Sequence, residues 1–206
     1  VILNGLNLSK GEDTMERTFV MVKPDGVARG LTGIVIARFE QAGLKLVGIK
    51  MVHPPKEMVE SHYPSSESWF KTAGGKTLSS YKEQGLDPKE HLGTDSALEI
   101  GKIIKGWLVE FISSCPVVCM VWEGNHAIKN VRRIVGNTLP MNAAPGTIRG
   151  DFALDSPDLA NERGRPIRNI VHASGDLEEA EHEINLWFGP DELFDYTRAD
   201  ENIMYG

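Results

Sequence analysis

Apolar positions recur along this 206-residue chain with two different periods, and the period predicts each element. Thr18 to Lys23 (TFVMVK) predicts a short buried strand, ended by the turn chemistry of Pro24-Asp25-Gly26. Leu31, Ile34, Val35, Phe39 and Ala42 then fall at helical spacing, with Gly43 as the stop. Leu44 to Val52 alternates apolar and polar residues and predicts a second strand, halted by Pro54 and Pro55. From Pro64 to about Ser96 the chain is polar, and the pattern predicts an excursion with at most a short helix. Helical spacing returns at Ile100, Ile103, Ile104, Trp107, Leu108, Phe111 and Ile112. Pro116 to Trp122 (PVVCMVW) is apolar without alternation, as expected of a strand covered on both faces. Ala127, Ile128, Val131, Ile134 and Val135 mark a further helix ending at Gly136.

The run Asn137 to Gly150 carries little core material and reads as a long loop, a class that is more often functional than connective. Residues 153–166 read as a second polar excursion, and Asn169 to His172 as a short strand. Asp176 is the expected N-cap of a last long helix, with Glu179 completing a box-like pattern and Leu177, Ala180, Ile184, Trp187 and Phe188 as its buried stripe. Strands and helices thus alternate four times. With one extra connecting helix, that order suits a four-stranded antiparallel sheet of split βαβ type; a small doubly wound parallel sheet is the alternative. Residues 1–14 lack periodicity and read as a leader, so the expected domain is 15–206.

Composition narrows the class. At roughly 150 residues per domain the length suits one elaborated domain, and 41% hydrophobic residues supply a core. No apolar run approaches the roughly 18 residues of a membrane span, and the N-terminus lacks the pattern of a secretory signal. The two cysteines, Cys115 and Cys119, bracket a strand and lie beyond disulfide reach, which points to reduced thiols in an intracellular, cytoplasmic protein. A net charge of −7 argues against nucleic acid as the primary partner. A nucleic-acid module on such a sheet would also need an aromatic platform, and the third strand carries only Trp122.

Three constellations could carry chemistry. Lys23 closes the first strand, where it is either a solvated strand end or a point charge for phosphate. Arg132 and Arg149 flank the long loop that holds Thr138; they are either surface cations or forks that converge on an anion. His172 ends a strand with Ser174 two residues on. Glu183, three residues from Ala180 and four from Trp187, lies near the apolar face, where a carboxylate needs a partner. The group is either ordinary capping chemistry or a histidine oriented by a carboxylate. His53, His62, His91, His126 and His182 show no metal-ligand spacing and read as ordinary surface or partly buried residues.

These blocks, in this order, resemble the nucleoside diphosphate kinases. TFVMVKPDGV followed by Arg29-Gly30 is similar to the family's opening, VVCMVWEG to its central strand, PGTIRGDF to its loop end, and NIVHAS to its active-site segment. With Leu186-Trp187-Phe188 the resemblance spans roughly 16–205. It implies the α+β ferredoxin-like fold, a split βαβ sandwich with an antiparallel sheet covered by helices. It also implies ping-pong transfer of a γ-phosphoryl group from ATP or another nucleoside triphosphate to a nucleoside diphosphate, through a phosphohistidine. His172 falls on the nucleophile, and Ser174 and Glu183 on the residues that orient it. Lys23, Tyr63, Arg132, Thr138, Arg149 and Asn169 fall on nucleotide-binding positions. Mg²⁺ is implied as a cofactor held through the nucleotide phosphates, and a hexamer or tetramer as the assembly.

The chain also departs from the family's compact form. About 40 residues, Pro64 to Lys105, stand where a short hairpin is usual, so an enlarged helical hairpin is expected. The excursion 153–166 enlarges the rim of the base site. Trp69, Phe70 and Ile104 compete for the place of a base-stacking Phe, and Leu108 matches a neighbouring base contact. Gly175 replaces a common acidic residue. Longer members with such insertions resemble archaeal ones.

Overall fold

The structure is a computed structural model that describes residues 15–206. The leader expected at 1–14 lies outside the described residues. Four strands, β1 (Met15–Val22), β2 (Lys45–Val52), β3 (Val117–Asn125) and β4 (Val171–Ala173), form one sheet in the order β2-β3-β1-β4. Every pairing is antiparallel, as the α+β reading expects, and the parallel alternative is excluded. Eleven α-helices surround the sheet among the described residues: α1 (Pro24–Ala28), α2 (Thr32–Gln41), α3 (Lys56–His62), α4 (Glu67–Glu83), α5 (Pro88–Leu92), α6 (Ala97–Ile112), α7 (Ala127–Val135), α8 (Ile148–Phe152), α9 (Pro157–Glu162), α10 (Leu177–Trp187) and α11 (Glu201–Tyr205).

The period of two along β1 sorts the core into two layers. Val20 and Val22 join Val35, Phe39, Met120, Trp122 and Val131 on the α2/α7 face. Phe19 and Met21 join Val59, Ile112, Cys119, Val121 and Trp187 on the face covered by α3, α6 and α10. Trp122 is buried within the first of these layers. Among the described residues no helix is long and apolar enough to cross a membrane. Cys115 and Cys119 are both free thiols.

Several boundaries differ from the sequence reading. β1 begins at Met15, because Arg17 pairs across to Glu123 at 2.7 Å and extends the ladder. β4 starts only at Val171, because Ile170 adopts φ +71° and breaks the extended backbone. The polar stretch after Pro64 is no mere excursion: α4 runs for 17 residues. Ser66 caps it by accepting the Trp69 N–H at 3.2 Å, α6 packs on its Gly74, and the buried Tyr81 ring meets His91 of α5. Its apolar content is too low for periodicity alone to show. The stretch read as a loop contains α8, capped by the Thr147 hydroxyl on the Gly150 N–H, and the second excursion contains α9, capped by Ser156.

Candidate active site

His172 occupies the middle of β4, opposite Met21 of β1. Val171 and Ala173 belong to the α2/α7 layer, so strand alternation turns the His172 side chain to the other face, toward α3 and α10. There Glu183 of α10 meets it: Nε2 lies 2.6 Å from Oε1. The Ser174 hydroxyl donates to the second oxygen of Glu183, also at 2.6 Å. Burial of Glu183 pushes its carboxyl above the ordinary range, opposed by His62 and the Ser174 hydrogen bond. The imidazole of His172 is pushed below the ordinary value by burial and by Lys23, with Arg149 and Arg132 adding to the effect. The ring is therefore neutral near pH 7, with Nε2 engaged by Glu183 and Nδ1 left with its lone pair.

A cavity of about 400 Å³ opens beside this ring, lined by Lys23, Tyr63, Trp69, Leu108, Arg132, Thr138, Arg149, Asn169 and His172. Each side chain arrives by a local device. Lys23 follows β1 and caps α1, and its ammonium donates to Asn169 Oδ1 at 2.9 Å. Burial, then the Arg149 charge, pull Lys23 down to about 8, while Asp25 opposes them. Asn169 is held at both ends of its amide, since it also donates one N–H to the Thr138 carbonyl at 2.8 Å. Arg149 is buried and brackets the site: it donates to the carbonyls of Gly136 (3.0 Å), Val171 (2.7 Å) and Asn169 (3.3 Å). Among the described residues Arg132 keeps most of its fork free, with one donor at 3.5 Å from the Ala173 carbonyl. Burial, then Glu183, raises the Tyr63 phenol, so it stays protonated.

The segment before His172 is held under strain. Ile170 is β-branched and buried, yet takes the left-handed conformation, at a cost of order 1–3 kcal/mol. Asp25 accepts its N–H at 2.9 Å, and its carbonyl accepts the Lys23 N–H at 2.8 Å. These two bonds tie the end of β1 to the start of β4.

The structure thus brings the sequence-selected residues to one place. Ser174 and Glu183 sit behind the ring and the others in front of it. Of the three candidates for the base-stacking place, Trp69 lines the cavity, while Phe70 lines a separate groove beside α6 and Ile104 lines neither. Trp69 packs 6.4 Å from Tyr63, ring centre to ring centre. The box expected at α10 is half right: Asp176 caps the Glu179 N–H at 2.9 Å, but Glu179 returns to the Gly175 N–H. His62, read from sequence as an ordinary histidine, is instead buried against Glu183. Lys76 of α4 also lines the cavity, and no motif marked it.

This chain is similar to known proteins along most of its length. The family model described as nucleoside diphosphate kinase matches residues 16–73 and 100–193, passing over 74–99. The nucleoside diphosphate kinase of Pyrobaculum aerophilum is 52% identical over 181 residues, 88% of this chain and 99% of that protein. A crystal structure of a Pyrobaculum aerophilum NDP kinase superposes with a TM-score of 0.87 at 51% identity, covering 88% of this chain and 100% of that one. A transition-state mimic of the Borrelia burgdorferi enzyme with bound vanadate and ADP superposes at 0.73 and 36% identity, covering 91% and 95%.

Proposed function

This chain belongs to the nucleoside diphosphate kinase family, and we propose that it transfers phosphoryl groups between nucleotides through His172. The observation that carries the reading is the His172 ring, held by Glu183 through Nε2 so that Nδ1 has a free lone pair beside a cation-lined cavity.

In the first half-reaction the Nδ1 lone pair attacks the γ-phosphorus of a nucleoside triphosphate. The N–P bond forms as the bond to the β,γ-bridging oxygen breaks, and the nucleoside diphosphate leaves with that electron pair. Nε2–H donates to Glu183 throughout, so the positive charge that grows on the ring faces a carboxylate. In the second half-reaction a β-phosphate oxygen of another diphosphate attacks phosphorus, and the N–P electrons return to Nδ1. Positioning and charge suffice for such transfer. Lys23 and Arg132 supply charged donors to the phosphates, Arg149 a fixed charge behind them, and Thr138 and Tyr63 hydroxyl donors. Asn169 aligns Lys23 and faces the ribose. Trp69 and Leu108 form the apolar wall for the base. A wall that stacks without hydrogen-bonding the base tolerates many bases, which fits a general nucleotide exchange.

Mg²⁺ fits this site as a passenger on the nucleotide phosphates, whose charge it neutralises when bound. The lining offers one carboxylate, Glu179, already engaged with Gly175, and the nitrogen-rich set His62, His172 and Glu183 does not suit a hard cation. We further propose a homo-oligomer, a hexamer or tetramer, working in the cytoplasm. The free thiols Cys115 and Cys119 support a reducing compartment.

The test is a label. Incubated with γ-labelled ATP, the protein is expected to form a phosphoenzyme that is labile in acid and stable in alkali, and His172→Ala to form none. Absence of label on the intact protein, or equal label on His172→Ala, ends this reading.

A further inference from the structure

We propose that Lys76 is a further nucleotide-binding residue, a cation that draws the phosphates of an incoming nucleotide into the cavity from the inserted hairpin. The inference rests on the reading of that cavity as the nucleotide site. Lys76 belongs to α4 and lines the cavity together with His172, Lys23, Arg132 and Trp69. The family model passes over residues 74–99, so this cation comes from outside the blocks that the family shares. Lys76 is exposed, and its ammonium makes no hydrogen bond or ion pair among the described residues. Other lysines of the hairpin are tied down. Lys71 meets Glu67 at 2.5 Å, Lys89 meets Asp95 at 2.8 Å, Lys102 meets Glu99 at 2.8 Å, and Lys105 donates to the Tyr63 carbonyl at 2.8 Å.

Helix geometry sets the direction of this side chain. Lys76 follows Trp69 by about 20° less than two full turns, so the two share one face, about 10.5 Å apart along the axis. A helical side chain leans toward the N-terminus, so Lys76 reaches back toward Trp69. The helix is held on two sides. Gly74, just before Lys76, packs backbone to backbone on Ala97 of α6. Ser80, one turn after it, accepts the Asn161 amide at 3.1 Å, which ties α4 to α9 of the second excursion. The fold therefore keeps the Lys76 backbone beside the cavity.

An ammonium is a compact point charge, and a multiply charged phosphate chain answers it best. The carboxylate that lines the cavity, Glu179, accepts the Gly175 N–H at 2.6 Å and forms no ion pair with Lys76 among the described residues. Lys76 is thus left to the ligand. The chain as a whole carries −7, so a cation at the cavity offsets a long-range repulsion of the nucleotide. An exposed charge acts through the Coulomb field: it speeds capture, and salt screens it. Lys76 takes no part in the bonds that join His172, Glu183 and Ser174, so transfer at saturation does not depend on it.

The experiment measures phosphoenzyme formation from γ-labelled ATP and CTP across concentration, at about 0.01 M and about 1 M salt, where the screening lengths are about 30 Å and about 3 Å. The full chain is compared with Lys76→Glu, Lys76→Arg and, on the same helix but outside the cavity lining, Lys71→Glu. Lys76→Glu is expected to lower the second-order rate constant about tenfold at low salt with either nucleotide, and less than about twofold at high salt. Its rate at saturation, and both constants of Lys76→Arg and Lys71→Glu, are expected within about twofold of the wild type. The proposal is overturned by an unchanged constant in Lys76→Glu at low salt, by an equal loss in Lys71→Glu, by a loss that high salt leaves intact, or by a loss confined to one base. If His172 takes no label, the same comparison is read from the Kd for ATP. A wild type that binds ATP without labelling ends the His172 reading alone, whereas one that binds no ATP ends the nucleotide site and this proposal together.

Discussion

Lys23 works at the edge of its charge. An unfolded lysine keeps its proton to about pH 10.5, whereas burial and Arg149 lower this one to about 8. Between those values the folded chain binds fewer protons than the unfolded one, so this residue's contribution to stability rises with pH across that window. A bound phosphate reverses the penalty and restores the proton. Nucleotide binding is therefore expected to take up a fraction of a proton that grows as the pH passes 8 and fades toward pH 7. Calorimetry in two buffers of different ionisation enthalpy reads that uptake directly. Lys23→Arg keeps the charge at any pH, so it is expected to abolish the uptake even if affinity falls. Equal uptake in the variant would assign the proton elsewhere.

At the scale of elements, the α4/α6 hairpin decides where the apolar wall of the cavity stands. The two helices cross without side chains between them: a Cβ on Gly101 would lie 2.1 Å from the Phe70 carbonyl oxygen, and one on Gly74 1.9 Å from that of Ala97. Each clash is with backbone, which cannot rotate away. Gly101→Ala must push the helices apart, at an expected cost of about 1–3 kcal/mol. Trp69, in the first turn of α4, moves with them. A thermal melt is expected to fall by several degrees, and the KM for ATP to rise with little change in phosphoenzyme formation at saturation. An unchanged melt would mean that the crossing is not tight in solution. This device was hidden in the sequence, because Gly74 lies in a polar stretch and Gly101 in an apolar helical run, and only their crossing gives either a purpose.

The whole molecule reconciles an acidic chain with an anionic substrate by segregation. Residues 175–206 hold ten acidic and one basic residue, a balance of −9 against a total of −7, which leaves +2 for residues 1–174. The cavity gathers Lys23, Lys76, Arg132 and Arg149 against Glu179. At the margin of the sheet lies β2, whose Val47 carbonyl accepts the Phe194 N–H at 2.8 Å and whose Ile49 and Met51 side chains are 48% and 63% exposed. Edge strands with apolar side chains are templates for pairing. For a homo-oligomer assembled through this edge, Ile49→Lys with Met51→Lys is expected to lower the sedimenting mass, while the wild type runs at four or six protomers. A wild-type monomer, or an unaltered assembly in the double variant, excludes this edge as the interface.

The sequence by itself determined the alternating strands and helices, the two covered sheet faces and the ordered blocks around Lys23, Arg149 and His172, because period and turn chemistry are local. It also marked Glu183 as a carboxylate in need of a partner, since a charge near an apolar stripe is costly wherever it folds. What it left open was decided by tertiary contact. The polar α4 became a helix because its cap and α6 support it. β4 was shortened by the strained Ile170, which Asp25 and Lys23 hold from far away in the chain. Arg149 proved a bracket as well as a charge, because three carbonyls surround it. His62 looked ordinary because its neighbours in sequence are polar. Its burial rests on Glu183 and Trp187, more than 120 residues away, and a contact of that kind exists only once the sheet has folded.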